Sequence, residues 1–246
     1  MDIAKDQPTR VKNPAEGDTA RIAMILAAGR GERMRPLTDK CPKPLIEICG
    51  RPLIVWHLNA LAKAGIRKVV VNLGWLGDDL RARLGDGEHF GVSLQYSEEG
   101  FPPLETGGGI FNALPLLGCG PFVVVNSDVW TDISPGTLRC PADSLAHLVM
   151  VANPAHNPAG DFCLEGSRIS REGRGDRLTF SGIGIYRAEL FDGCRPGRFS
   201  LVPLLWRAMS AGRVTGQRHS GAWIDVGDPD RLKEAGDLAA RTREAT

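Results

Sequence analysis

The run Ile22-Ala-Met-Ile-Leu-Ala27 is apolar at every position and then breaks at Gly29 and Gly31. A short, uniformly apolar segment with no polar alternation suits a strand buried on both faces. Such a strand needs cover on each side, which restricts the chain to layered α/β architectures. Apolar runs recur at Lys68-Val-Val-Val-Asn72 and Pro121-Phe-Val-Val-Val-Asn126, and Val92-Ser-Leu-Gln-Tyr96 alternates as a further strand. Between the first and second of these runs, Leu53, Trp56, His57, Ala60, Leu61 and Ala64 repeat at helical spacing, opened by Pro52 and closed by Gly65. His57 reads there as a core filler. Asp78–Leu84 reads as a second helix. Strand and helix in alternation predict a parallel sheet with helices on its faces. At 246 residues the chain is long enough for one large α/β domain.

The turn after the first strand carries fixed cations. Arg33 and Arg35 follow Gly31, and Lys43 sits between Pro42 and Pro44. Glycine lets backbone N–H groups approach a ligand, and arginine and lysine neutralise phosphate oxygens. The segment has neither the G-x-x-x-x-G-K-[ST] nor the G-x-G-x-x-G spacing. Downstream, Glu105-Thr-Gly-Gly-Gly109 is expected as a loop leading into a helix over Ile110–Leu117, its glycines permitting close backbone approach to a nucleobase or ribose. Asp128 follows the most apolar strand, at an end where open α/β sheets gather ligands. Asp225 lies in Trp223-Ile-Asp-Val-Gly227, an apolar and therefore buried-strand context. An unpaired acid there is costly, which leaves a structural ion pair or a metal site as the alternatives, with the metal site preferred. Asp128 and Asp225 are expected at strand ends of one sheet, where oxygen ligands suit Mg²⁺.

Ala146–Val151, Thr179–Tyr186 and Val214–Gln217 read as further strands. A helix is expected over Val202–Ala211, with Ser200 as its cap. Asp228 and Pro229 cap and open a last helix to Arg241. Residues 1–20 are polar and read as a disordered extension without a signal peptide or membrane span. The six cysteines form no C-x-x-C pair, which fits reduced thiols in a cytoplasmic protein. A net charge of +1 argues against a general nucleic-acid partner.

The string L-A-A-G-x-G-x-R-M-x-P-L-T followed by P-K-P-L resembles the signature of sugar-1-phosphate nucleotidyltransferases. The likeness spans nearly all of Arg21–Leu238. L-E-T-G-G-G-I-F, D-V-W-T-D, A-H-L-V-M-V and G-D-F resemble the group that are uridylyltransferases acting on N-acetylmuramate 1-phosphate. The resemblance implies an α/β, Rossmann-like and mostly parallel central sheet with helices on both faces. It also implies one domain over residues 21–246, with a small sugar-binding insertion at about 153–187. The implied activity is transfer of UMP from UTP to N-acetyl-α-muramate 1-phosphate, with release of diphosphate, in peptidoglycan recycling. Alternatives are another hexose- or heptose-1-phosphate nucleotidyltransferase, such as a guanylyltransferase, or a silent sugar-nucleotide sensor. Implied partners are UTP and the sugar phosphate, in a monomer or small homo-oligomer.

By the same resemblance, Arg33, Lys43, Asp128 and Asp225 are the catalytic group, and Asp128 and Asp225 hold Mg²⁺. Ala28, Gly29, Gly31, Glu32, Arg33, Lys43, Glu105, Thr106 and Gly107 are expected at the nucleotide. Asn126, Gly160, Asp161, Thr179 and Ser181 are expected at the sugar phosphate. Two departures stand out. Ser127 replaces the glycine that the family usually has before the acid, and no Glu-Lys-Pro triplet supplies the usual sugar-phosphate lysine. Arg168, Arg171, Arg174 and His156 are open candidates for that lysine's role.

Overall fold

The computed structural model describes residues 17–100 and 102–244. The chain opens with β1 (Ile22–Leu26), the hairpin β2 (Glu47–Ile48) and β3 (Arg51–Pro52), α1 (Leu53–Lys63), β4 (Lys68–Leu73), α2 (Gly77–Leu84) and β5 (Ser93–Glu98). It continues through α3 (Glu105–Leu117), β6 (Phe122–Asn126), β7 (Val129–Thr131), β8 (Ala146–Val151), β9 (Phe162–Glu165), β10 (Arg168–Ser170) and β11 (Asp176–Tyr186). The last elements are α4 (Val202–Ser210), β12 (Val214–Arg218), β13 (Trp223–Asp225) and α5 (Pro229–Glu244).

Nine strands form the central sheet in the order β5-β4-β1-β6-β11-β8-β12-β10-β9. The first four are parallel, as the alternation of strand and helix implies. The other half is mixed: β11 runs antiparallel to β6 and to β8, while β12 is parallel to β8. The sugar-binding subregion expected at about 153–187 within the single domain supplies β9, β10 and β11 to this sheet.

The strand residues alternate between two cores. Ala23, Ile25, Val69, Val71, Val123 and Val125 meet α1 and α2 through Ile54, Leu58, Leu61, Leu80 and Leu84. Met24, Val70 and Val124 face the other way, toward α3 and α4 through Ile110, Ala113, Leu205 and Met209. Fully burying one such side chain contributes about 1.5–3 kcal/mol. A third core joins Met34, Ile46 and Ile48 to Trp130, Ile224 and, from α5, Ala235 and Ala239. It clamps the glycine turn and α5 onto the short ribbon β7–β13.

Two elements differ from expectation. The helix read as starting at Ile110 starts at Glu105, so Gly107, Gly108 and Gly109 are helical and buried. A Cβ on Gly107 would meet the Phe199 ring at 2.6 Å, and one on Gly108 would meet the backbone oxygen of Gly197. The glycines therefore admit the 197–200 segment against the helix. For the extension expected over residues 1–20, residues 1–16 lie outside the described residues, but Asp18 is docked. Its backbone bridges Cys140 and its carboxylate meets Arg187 at 2.8 Å.

His57 is core, as its spacing implied. Burial lowers its pKa to about 4, against smaller raising effects from the Val129 backbone and the Asp128 charge. Burial also lowers His147 in β8. The unfolded imidazole binds its proton near 6.5, so between about 6.5 and 4 the unfolded chain binds more protons than the folded one. Stability should therefore fall as pH drops through that window, by about 3 kcal/mol for His57 alone. Urea midpoints at pH 7 and pH 5 check this, and His57→Leu should flatten the slope.

Candidate active site

The carboxyl ends of β1, β4 and β6 open onto a cleft of about 260 Å³. Ala28, Gly29, Gly31, Lys43, Asn72, Glu105, Thr106, Asn126, Ser127 and Asp128 are among its lining residues. A Cβ on Gly29 would meet nothing within 4 Å, so its bare backbone borders open space. Gly31 answers a different need. It sits at φ 68°, and a Cβ there would meet Lys43 Cδ at 3.0 Å and Thr38 Cγ2 at 3.1 Å. The missing side chain lets the Lys43 stem cross the turn. Lys43 is 8% exposed, and its Nζ lies 2.6 Å from Asp128 Oδ2.

The two distant acids converge, though not as ends of one sheet. Asp128 follows β6, whereas Asp225 ends β13, which pairs with β7 alone. In that ribbon Asp225 lies opposite Val129, and Val226 N–H donates to the Asp128 carbonyl at 2.7 Å. Both acids line a second cavity of about 300 Å³, together with Asn126, His156, Asn157, Thr179, Ser181 and Gly182. A bulge in β11 between Phe180 and Gly184 shapes its wall. Gly182 there has φ 78°, and a Cβ would strike the Asn126 amide at 2.7 Å.

Asp225 is half-buried rather than fully buried, and it is paired. Arg231 Nη1 lies 2.6 Å from its Oδ1, and His156 Nε2 lies 3.2 Å from the same oxygen. Arg231 also holds Asp228, through its own backbone N–H and then its guanidinium, which keeps that carboxyl below the usual range. The structural ion pair weighed against a metal for Asp225 thus exists. The donor set still fits a hard cation. Two partly exposed carboxylates on adjacent backbone positions present oxygen alone, and Mg²⁺ commonly takes one or two carboxylates and fills its shell with water and phosphate. No group of three or more His, Cys, Asp or Glu gathers as a metal site among the described residues.

Of the other expected site residues, some line these cavities and some do not. Arg33 and Glu32 are exposed and line neither cavity. Arg33 reaches toward Gly227, and Glu32 pairs with Arg30 at 3.5 Å. Gly107 is buried against Phe199 and does not line the cleft. Glu105, at φ 62°, pairs with Arg198 at 3.0 Å on the rim. Gly160 and Asp161 line a third cavity, of about 440 Å³, which shares Asn126 with the other two. The Thr179 hydroxyl donates to Asn153 at 3.0 Å, and Ser181 Oγ accepts from Ile183 N–H at 3.2 Å, so both are tied within the protein.

Sequence reading missed Asn72, Glu99 and Arg231. Asn72 accepts from Ala27 N–H at 2.6 Å and donates to Glu99 at 2.5 Å, and Glu99 in turn accepts from Leu104 N–H at 2.8 Å. This relay locks the cleft rim to the end of β1. The repeated Val-Val-Val-Asn at 69–72 and 123–126 was the available signal. Of the open candidates for the missing lysine, His156 faces the acids, while Arg171 stacks on Trp206 and Arg168 lies near Gly212.

Parallel strands ending in a cleft with glycine backbone, a buried lysine and two converging acids define an α/β protein with a site for anionic ligands. A profile described as nucleotidyl transferase matches residues 22–164, and the chain belongs to that family. It is 53% identical over 225 residues to an N-acetylmuramate alpha-1-phosphate uridylyltransferase of Neisseria meningitidis serogroup B, covering 88% of this chain and 97% of that one. A Caulobacter vibrioides protein of the same name is 36% identical, over 92% of this chain and 97% of its own. The fold matches a UDP-glucose pyrophosphorylase complexed with UDP-glucose at a TM-score of 0.71 and 17% identity, covering 91% of this chain and all of that one.

Proposed function

We propose that this chain transfers UMP from UTP to N-acetyl-α-muramate 1-phosphate, giving UDP-N-acetylmuramate and diphosphate. The observation that carries the reading is the 53% identity across nearly the full length of the Neisseria uridylyltransferase. Guanylyltransferase relatives stand further off, at 28% for the Xenopus tropicalis protein.

In this reading a phosphate oxygen of the sugar attacks the α-phosphorus of UTP. The bond from that phosphorus to the bridging oxygen breaks, and its electron pair leaves with diphosphate. The nucleophile is already an anion, so the protein's task is positioning and charge neutralisation. Lys43 neutralises phosphate oxygens where the two reactants meet. Gly29 lets the triphosphate lie against bare backbone, and Glu105 and Thr106 meet the uridine side. Asp128 and Asp225 would hold Mg²⁺, whose chemistry is to withdraw charge from the phosphates. His156 and Arg231 take the place of the missing lysine beside the sugar phosphate. No helix among the described residues is long and apolar enough to cross a membrane. The reading sets the reaction in the cytoplasm, in a monomer or small homo-oligomer, as part of peptidoglycan recycling.

Diphosphate release tests this, with UTP, GTP, CTP and dTTP offered against N-acetyl-α-muramate, mannose and glucose 1-phosphates, with and without chelator. UTP with the muramate phosphate should be the best pair, and chelation should stop it. A GTP and mannose 1-phosphate preference overturns the reading. Binding without release makes the chain a sensor.

Gly227 offers a finer test of the Arg231 contact. A Cβ there would meet Arg231 Cζ at 2.8 Å and Arg33 Nη2 at 3.1 Å, both ends of flexible side chains. Gly227→Ala should leave the melting temperature nearly unchanged and lower turnover about tenfold or more by moving Arg231 off Asp225.

A further inference from the structure

The third cavity carries chemistry that a neutral sugar does not require. It lies between α4 and the β9–β11 segment and shares Thr106 and Asn126 with the nucleotide cleft. One wall is apolar, with Phe162, Phe180, Leu205 and, at its mouth, Val202 and Trp206. Val202 and Trp206 are each 38% exposed, and only Leu37 joins them as an exposed large hydrophobic among the described residues. Apolar surface gathered at a cavity mouth marks a place where a ligand covers it.

The same cavity holds a cation with no direct ion pair among the described residues. The Arg177 guanidinium donates to the carbonyls of Ala159 at 2.9 Å, Arg171 at 3.0 Å and Asp161 at 3.2 Å. Carbonyls fix its direction but leave its charge whole. Beside it, Arg171 lies 4.3 Å from the Trp206 ring centroid. Neither arginine pairs with a carboxylate among the described residues. Asp161, the acid of this cavity, has its oxygens held by Asn157 at 3.0 Å and by Phe180 N–H at 2.8 Å, and its charge offsets one of the two cations, so Arg177 and Arg171 together leave a net positive charge here.

We infer that this cavity reads a short, branched, carboxylate-bearing substituent on the sugar, the carboxylate held by Arg177 and Arg171 and the methyl group laid on Trp206. The inference rests on the proposed muramate substrate, whose lactyl ether has this chemistry, and it names what selects that sugar. A sugar lacking the ether offers neither cation a partner, so the two sugars should differ by the worth of the charge-assisted contact.

Calorimetric titration of the full chain with UDP-N-acetylmuramate and UDP-N-acetylglucosamine tests it. The parent should prefer the first by about tenfold or more, the worth of one charge-assisted contact. Arg171→Ala changes an exposed stacked side chain and should cut that ratio several-fold, and Arg177→Gln should cut it further. If Arg177→Gln fails to fold, Arg171→Ala decides alone. An undiminished ratio in Arg171→Ala, or a parent without preference, overturns the inference. Diphosphate release by the parent keeps the two claims apart. Turnover of the muramate phosphate with an undiminished ratio sinks only this inference, whereas turnover of other sugar phosphates alone sinks the reading beneath it.

Discussion

Asp128→Asn is expected to lower turnover by about a hundredfold to a thousandfold, the usual loss when one preorganised charge contact leaves an active site. Asparagine keeps the shape and an acceptor for Lys43, whose ammonium lies 2.6 Å from the present carboxylate. It loses the negative charge that would hold a divalent cation. Removing one partner of a fully buried pair costs about 3–5 kcal/mol. Asp128 is a third exposed and its replacement still accepts a hydrogen bond, so the stability loss should be well below that figure. Rate and stability therefore separate, and kcat beside a urea titration measures both. Asp225→Asn should behave alike, and the double variant should lose little more than either single one, because groups acting on one ion are not additive. Parental turnover in either single variant removes that acid from the mechanism.

Gly108→Ala should damage the fold itself. The Gly108 N–H donates to the Phe199 carbonyl at 3.0 Å, and Phe199 N–H donates to Leu104 at 3.1 Å. A methyl on Gly108 would enter the Gly197 carbonyl and come within 3.3 Å of Phe199 N. Those obstacles are backbone on both sides, so neither can swing away as a side chain would. Overpacking of this kind costs about 1–3 kcal/mol. The melting temperature should drop, and nucleotide affinity should fall with it, because Glu105 and Thr106 ride on the same turn. An unchanged melting temperature would mean that the helix start and the 197–199 segment part freely.

The contrast between these two residues shows what the sequence carries. The parallel half of the sheet was legible because Val69–Val71 and Val123–Val125 are apolar in unbroken runs, a local property. Lys43 and Asp128 were legible because their neighbours, paired prolines and a strand end, constrain them locally. The start of α3 was misread because three glycines argue against a helix until the 197–200 segment packs on them from about ninety residues away. Arg231 was missed for the same kind of reason. It looks like one more surface charge on an amphipathic helix, and only docking of α5 turns it toward Asp225 and His156. Arg33, expected with the phosphate motif, has its guanidinium near Gly227, a placement that sequence spacing cannot reveal.

The ribbon that joins Val129 to Asp225 also has a consequence for how the protein comes into being. A chain emerging from the ribosome can lay down β1, β4, β5 and β6 and present Asp128 long before Asp225 is translated. Such a half-made molecule has a cleft but only one of its acids. Under the proposed mechanism both acids are needed, so a chain cut before Trp223 should release no diphosphate even where its first strands are in place.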